Sequence, residues 1–400
     1  MKSCLFVLLM LQIALLGCKK PYQPPVTLAP TNYLVVEGTI NSNNNSTDST
    51  IFKLSRTVNL KSNTSTINPE LHAQITIEGE QGYTFTLKEN GKGYYVAGSL
   101  GLDTTKKYRV RIKTADSKIY LSNFEPVVYA PPIDSIGFTA SESGIQLYVN
   151  THNPLDNTRY YRWDFAETWK IVTLYTSEYV TNGYTLLPRT PAQDVHTCWA
   201  SDVSTGIMLG SSIKLTHDVI YHGLLTPIAS NSEKLSVRYS ILVKQYGLTA
   251  DAFSFWDQLR KNTETLGSIF DTQPSATSGN IHCISNPAEQ VFGYVGTSNI
   301  QTKRVYINRM ALPADYRTDI YNTCAFHGKD TVLDFQIKPY MYTPNDLIPV
   351  SSPYIPLTKE LISLPPDYSV PIPGYFATKK ECGDCTTRGT VNKPAFWVDQ

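Results

Sequence analysis

The sequence carries no excess of charge of either sign. Its 35 lysines and arginines stand against 34 aspartates and glutamates, a formal net charge of +1. That balance removes the electrostatic case for nucleic acid or an anionic membrane surface as partner. Charge of any sign is sparse, at 17% of residues against the usual quarter of a globular chain. Beyond residue 25 no apolar run is long enough to span a membrane, which takes roughly 20 residues. There is no Gly-x4-Gly-Lys-Ser/Thr phosphate loop and no Gly-x-Gly-x-x-Gly dinucleotide fingerprint. A Gly-x-Ser-x-Gly nucleophile elbow, a His-Glu-x-x-His pair and an EF-hand loop are absent too. The signatures of the commonest nucleotide-binding, hydrolytic and calcium-binding classes are therefore missing.

What is present begins with a short basic start, Met1-Lys2-Ser3, followed by an apolar stretch to Leu16. That stretch is too short to cross a bilayer but suits the h-region of a signal peptide. It ends in Leu15-Leu16-Gly17-Cys18, which looks like a lipobox. The expectation is cleavage after residue 17 and acylation of Cys18. Several acyl chains, each contributing about 0.8 kcal/mol per buried methylene, would hold the chain to a lipid bilayer. Residues 18–30, with Pro21, Pro24 and Pro25, read as an extended polar tether. Lys19 is not the Asp that retains lipoproteins at the inner membrane of enteric bacteria, so the outer membrane is favoured.

With 26 tyrosines and many threonines, the remainder favours pleated, half-buried surfaces and hence an all-β class with one or two helices. Between residues 31 and 130 short alternating runs recur. Ile75 and Ile77 form one; Tyr83, Phe85 and Leu87 a second; Tyr108, Val110 and Ile112 a third. Turn clusters separate them, a spacing that predicts an immunoglobulin-like sandwich of about seven strands. Ala130-Pro131-Pro132 marks a boundary, since two prolines suit neither a helix interior nor a central strand. From residue 131 to 400 the pattern predicts a larger, elaborated β domain, with Tyr161, Trp163 and Phe165 on one strand face. One helix is expected from Thr249, a good N-cap, to about Glu264, with Ala252, Phe255, Trp256 and Leu259 packing as core. The Pro-rich stretch from Leu347 to Tyr375 reads as irregular surface wrapping.

Removing Cys4 with the leader and Cys18 to lipid leaves Cys198, Cys283, Cys324, Cys382 and Cys385. In an oxidising compartment these are disulfide candidates, and an odd number leaves one thiol over. Cys382-Gly383-Asp384-Cys385 could be half a zinc site, a redox dithiol, or two partners in separate disulfides. Structural disulfides are preferred, because no second Cys-x-x-Cys and no thioredoxin-like βαβ pattern accompanies it. His196 near Cys198, His282 beside Cys283 and His327 near Cys324 would need the fold to gather them. His217 and His222, five apart, point to opposite faces of a strand. No metal and no cofactor is expected. Tyr160 and Trp169 are less clearly inward than Tyr161 and Trp163, which makes them the better ligand-stacking candidates. Asp134-Ser135-Ile136 and Asp330-Thr331-Val332 match a short Asp-Ser/Thr-apolar glycosylation pattern.

Several stretches resemble the Bacteroidota lipoproteins grouped as domain-of-unknown-function family 4249. They are Tyr33-Leu34-Val35-Val36-Glu37-Gly38, Lys106 to Ile112, Pro131-Pro132-Ile133-Asp134-Ser135-Ile136, and Thr158 to Trp163. Leu266 to Asp271, Gly279 to Cys283, the Cys382–Cys385 motif and Phe396-Trp397 extend the likeness over nearly all of the mature chain. The family offers no catalytic residues to carry over. What the resemblance implies is context, an accessory lipoprotein beside a TonB-dependent outer-membrane transporter. Many surface-exported lipoproteins of that phylum carry acidic residues after the Cys, where this chain has two lysines. The face of the membrane is thus undecided, with the cell surface favoured. The combined expectation is a non-enzymatic ligand-binding or transporter-accessory protein. The alternatives are a hydrolase on an unrecognised β scaffold and a structural or adhesive surface lipoprotein.

Overall fold

In the computed structural model the described residues are 32–45, 49–58, 68–181, 186–264, 279–324, 354–362 and 372–399. The leader, Cys18, the tether, His327, Asp330-Thr331-Val332 and parts of the Leu347–Tyr375 stretch lie outside them. The first nine strands are β1 (Leu34–Asn41), β2 (Thr50–Arg56), β3 (Asn68–Pro69), β4 (Gln74–Gly79), β5 (Thr84–Glu89), β6 (Tyr94–Ala97), β7 (Lys107–Lys113), β8 (Ile119–Ser122) and β9 (Glu125–Val128). Their apolar alternation is the period-2 signal of a sheet with one buried face. Ile75, Ile77, Val110 and Ile112 are fully buried, while the intervening Thr76 and Arg111 are half-buried. Tyr83 departs from expectation. It precedes β5, beside the turn at Gly82, and is exposed.

The next nine strands are β10 (Ile133–Ser141), β11 (Gly144–Asn153), β12 (Tyr160–Val172), β13 (Tyr179–Thr181), β14 (Leu186–Pro188), β15 (Thr197–Val203), β16 (Met208–Ser211), β17 (Asp218–Ala229) and β18 (Arg238–Gly247). A helix follows at Ala250–Glu264, started by Thr249, whose Oγ1 accepts from the Ala252 N–H at 3.2 Å. Its Ala252 and Phe255 are buried with Tyr294, and Trp256 and Leu259 pack beside them, so the aromatic stripe is core.

The chain then returns to the first sheet with β19 (Ile281–Cys283), β20 (Val291–Phe292) and β21 (Thr297–Ser298). β19 pairs with β8, β20 runs parallel to β1, and β21 lies parallel between β1 and β9. The insertion of β21 completes a ring in the order β7, β4, β5, β6, β2, β1, β21, β9 and back to β7. Residues 31–130 by themselves would leave that ring open. The reading of them as a self-contained sandwich must therefore be widened to include 281–298. Ion pairs and a phenol hydrogen bond on Glu289 hold the returning segment. Glu289 accepts from Lys118 Nζ at 2.8 Å and from Tyr120 OH at 2.6 Å, and lies 3.7 Å from Arg56. Arg56 also holds Glu70 at 2.6 Å.

β22 (Gln301–Asn308) then crosses back to the second region, and β23 (Tyr354–Ile362) and β24 (Ile372–Lys379) form a hairpin. The second region is a two-layer sandwich. One layer is β10-β11-β17, the other β15-β12-β18-β22 with β16 also on β12. Ile145, Leu147 and Val149 of the smaller sheet face Tyr161, Trp163, Tyr239, Ile241 and Val243 of the larger across one core. The all-β class, with few helices, is the architecture observed.

Candidate functional site

The cysteines resolve into a brace for the C-terminal segment. Cys198 on β15 bonds to Cys385, and Cys324 bonds to Cys382. The Cys-x-x-Cys motif thus serves two separate disulfides, one of the three readings its spacing allowed. Both Cα separations, 5.6 and 5.7 Å, are ordinary for a bridge. All four cysteines are buried. Cys283, the one left over, is a buried thiol on β19 within the first core. Among the described residues, no three His, Cys, Asp or Glu side chains come together as a metal-ligand group.

Several buried polar groups in the second sandwich are satisfied in pairs, within the larger sheet and, at Tyr161–Asp218, across its two layers. Trp163 Nε1 donates to Gln245 Oε1 at 2.8 Å, and Gln245 Nε2 donates to the Pro131 carbonyl at 2.7 Å. Tyr161 OH donates to Asp218 at 2.7 Å, and Tyr239 OH to Glu167 at 2.8 Å. Burial, reinforced by the adjacent carboxylate, holds both phenols well above the usual tyrosine range. They are hydrogen-bonding pillars, with no proton to exchange near neutral pH. At the junction with the first sheet, Glu125 accepts from Tyr294 OH at 2.9 Å and Asn280 Nδ2 at 3.1 Å. Burial pushes its carboxyl above the usual range despite those two bonds.

Tyr160 and Trp169, the expected ligand-stacking pair, are both engaged in packing. The Tyr160 ring lies 4.9 Å from that of Phe253 on the helix. Trp169 fills the space between the main sandwich core and the Cys198–Cys385 disulfide, with Lys234 Nζ 5.0 Å over its ring. Trp169 shares the inward phase of Tyr161 and Trp163 on β12, so the expectation of an outward, ligand-stacking ring is corrected: it packs between two buried clusters.

Exposed apolar surface gathers instead on the smaller sheet. On β17, Val219, Tyr221 and Leu224 face solvent, Tyr221 being 76% and Leu224 66% exposed. The loops at the start of β17 add Leu155, Ile213 and Leu215, each more than half exposed. These loops are held together: the Asp156 carboxylate accepts the Asp218 N–H, and Arg159 donates to the Leu215 carbonyl at 3.2 Å. His222 has φ 52°, a left-handed conformation that costs free energy in a non-glycine residue. Its ring lies between those of Tyr148 and Tyr221, with centroids 3.8 and 4.1 Å away. Tyr148 in turn lies over Gly137, where a Cβ would stand 2.6 Å from the phenol oxygen. The aromatic row is therefore fixed from below. His217, separated from this row, meets Asp156 at 3.2 Å, and His152 meets Asp134 at 2.8 Å. Around the open edge between β10 and β22 lies a cleft of 310 Å³, lined by Ile136, Phe138, Leu147, Val305 and Ile307.

Val219, Tyr221, Leu224, Leu155, Ile213 and Leu215 carry no motif in the sequence. The signal available was Asp218–Ala229, apolar in both phases of the strand period, which a one-sided sheet does not require.

Comparison with known proteins adds a family but no activity. No curated protein matches the chain. Among solved structures, chicken interferon gamma receptor alpha chain is 10% identical, with 55% of this chain and 90% of that one covered and a TM-score of 0.15. Chitinase ChiA74 from Bacillus thuringiensis is also 10% identical, over 50% of this chain and 28% of its own, with a TM-score of 0.15. The model of the domain of unknown function DUF4249 matches residues 19–304, and the chain belongs to that family.

Proposed function

We propose that this is a lipid-anchored outer-membrane protein of non-enzymatic function that docks a partner through the exposed face of its smaller sheet. The single observation carrying this is the apolar surface of Val219, Tyr221 and Leu224 with Leu155, Ile213 and Leu215. Exposed apolar side chains of this number on one strand and the loops beside it are characteristic of interaction sites. The anchor is proposed from Gly17-Cys18 and the short leader. The partner class is proposed as an integral outer-membrane barrel of the TonB-dependent type, on the family context. A structural or adhesive role would use the same surface, so the experiment must identify what is bound. Full-length protein solubilised from membranes in detergent should co-purify an integral barrel, and Tyr221→Ser with Leu224→Ser should release it. Recovery of the wild-type protein with no integral partner would refute the accessory reading.

A further inference from the structure

The outer face of the larger sheet sets cationic side chains among neutral hydroxyls and an amide, with no carboxylate in three successive register rows. In strand register Trp199 on β15 lies opposite Lys170 on β12, and Lys170 lies opposite Arg238 on β18. The next row is Ser201, Thr168, Ser240 and Tyr306, and the row beyond ends on Leu242 and Arg304. Residues directly opposite in an antiparallel sheet share a face, so these side chains form one patch. The arginines lean toward the hydroxyl row from either side. Arg304 Nη1 donates to Ser240 Oγ at 3.0 Å, and Arg238 Cζ stands 4.6 Å from the Tyr306 ring centre. The C-terminal tail walls the patch. The Trp397 ring meets Trp199 at 6.4 Å and Tyr306 at 5.8 Å, and Phe396 lies 3.6 Å from Arg304 Cζ.

Two independent features point to an anion. Neither guanidinium has a carboxylate partner among the described residues, although Arg238 is only 8% exposed and burial holds Arg304 below the usual arginine range. In addition, Arg238 Nε and Trp199 Nε1 are buried with no acceptor among those residues. Buried N–H groups and buried cations both cost free energy unless an acceptor compensates them. Asp399 on the tail is exposed, bonded to Lys393, and within electrostatic reach of Lys170. We propose that this patch binds the oxyanion group of a ligand, a carboxylate, phosphate or sulfate. Arg238 and Trp199 donate to its oxygens, Lys170 and Arg304 supply further positive charge, and Trp397 and Phe396 form the apolar wall. The site lies on the opposite layer from the apolar docking surface and does not depend on it.

Trp199 and Trp397 make the test spectroscopic. Inorganic phosphate, sulfate and acetate are each titrated into the full chain in detergent, against chloride at equal ionic strength, with tryptophan fluorescence as the readout. At least one anion should give a saturable change with a dissociation constant on the order of 1 mM. Arg238→Gln and Arg304→Gln should each weaken it about tenfold, as expected for a charge-assisted bond, and Lys214→Gln on an exposed loop should leave it unchanged. A response to acetate alone assigns a carboxylate ligand, and one to phosphate or sulfate alone a tetrahedral one. No saturable response to any of the three overturns the proposal. So does a response equally strong in whichever arginine variants retain the wild-type circular dichroism spectrum.

Discussion

The first sheet and the second sandwich deal with their edges in opposite ways. The first curls until β9 meets β7, using β21 to fill the last gap, so the ring strands have neighbours on both sides. Closure of this kind removes the unpaired main-chain edge through which other proteins attach. The second region remains a sandwich with open edges at β10 and β22, and its two outer faces differ again. The larger sheet is covered in part by the disulfide-bound tail, with Trp199 paired to Thr390 and Tyr306 OH donating to the Phe396 carbonyl at 2.6 Å. The smaller sheet keeps Tyr221 and Leu224 in solvent. The comparison teaches that closure and exposure are divided: the first region closes on itself, and the second keeps open edges and exposed apolar side chains.

The strongest test of that division removes the brace. Replacing Cys198 and Cys385 together by alanine opens a link spanning 187 residues, and should cost about 3–5 kcal/mol on chain-entropy grounds. Urea unfolding of the oxidised proteins measures it, and limited proteolysis should then cut the tail first. An unchanged midpoint would mean that tail packing alone holds the larger sheet covered. Next in size is Glu289→Ala, which removes the acceptor of the buried Tyr120 OH and one carboxylate from Arg56, while the part-exposed Lys118 keeps Asp116 at 3.6 Å. A loss of about 2–3 kcal/mol is expected, below that of a fully broken buried pair because Glu70 still holds Arg56. Unfolding followed by fluorescence and by circular dichroism would show whether closure of the ring fails together with the sandwich or before it.

Two carboxyls within the region of 281–298 and its contacts sharpen the comparison through pH. Burial raises Glu125, so its folded form retains a proton that the unfolded chain gives up first. Its contribution is complete below the ordinary glutamate range and is lost as pH rises through the raised folded value. Burial also pushes Glu289 upward, but bonds from Lys118 and Tyr120 and the charges of Lys118 and Arg56 outweigh it, and the net shift is down. Its contribution is present above the ordinary range and is lost as pH falls through the lowered value. Glu125→Gln should therefore stabilise the protein more at pH 7 than at pH 4, as Gln Oε1 can still accept from Tyr294 and Asn280. Equal effects at both pH values in urea titrations would show that folding leaves the Glu125 carboxyl unshifted. The smallest stability effect belongs to Tyr221→Ser and Leu224→Ser, within about 0.5 kcal/mol for exposed positions. Their consequence should appear only as loss of the co-purified partner.

How far the molecule was legible depends on how local each feature is. Period-2 alternation exposed the inward sets at Ile75, Ile77, Val110 and Ile112, and at Tyr161 and Trp163, because burial on one face acts residue by residue. Thr249 announced the helix, since a cap is satisfied within three residues. The ring-closing strand β21 was not legible: Thr297 and Ser298 are two polar residues whose partners lie more than 150 residues away in β1 and β9. Tyr221 and Leu224 were missed for a related reason, as alternation says which residues share a face but not which face another layer covers.

The sequence by itself determined the all-β class, the helix, the odd cysteine count and the lipobox-like Gly17-Cys18. Each depends on neighbouring residues or on simple counting. Only the tertiary structure decided that Cys382 and Cys385 serve different disulfides, that residues 281–298 complete the first sheet, and that the tail covers part of one outer face while the other stays bare. Those outcomes depend on which distant segments the packed core brings within bonding distance, and chain separation carries no local signal of that.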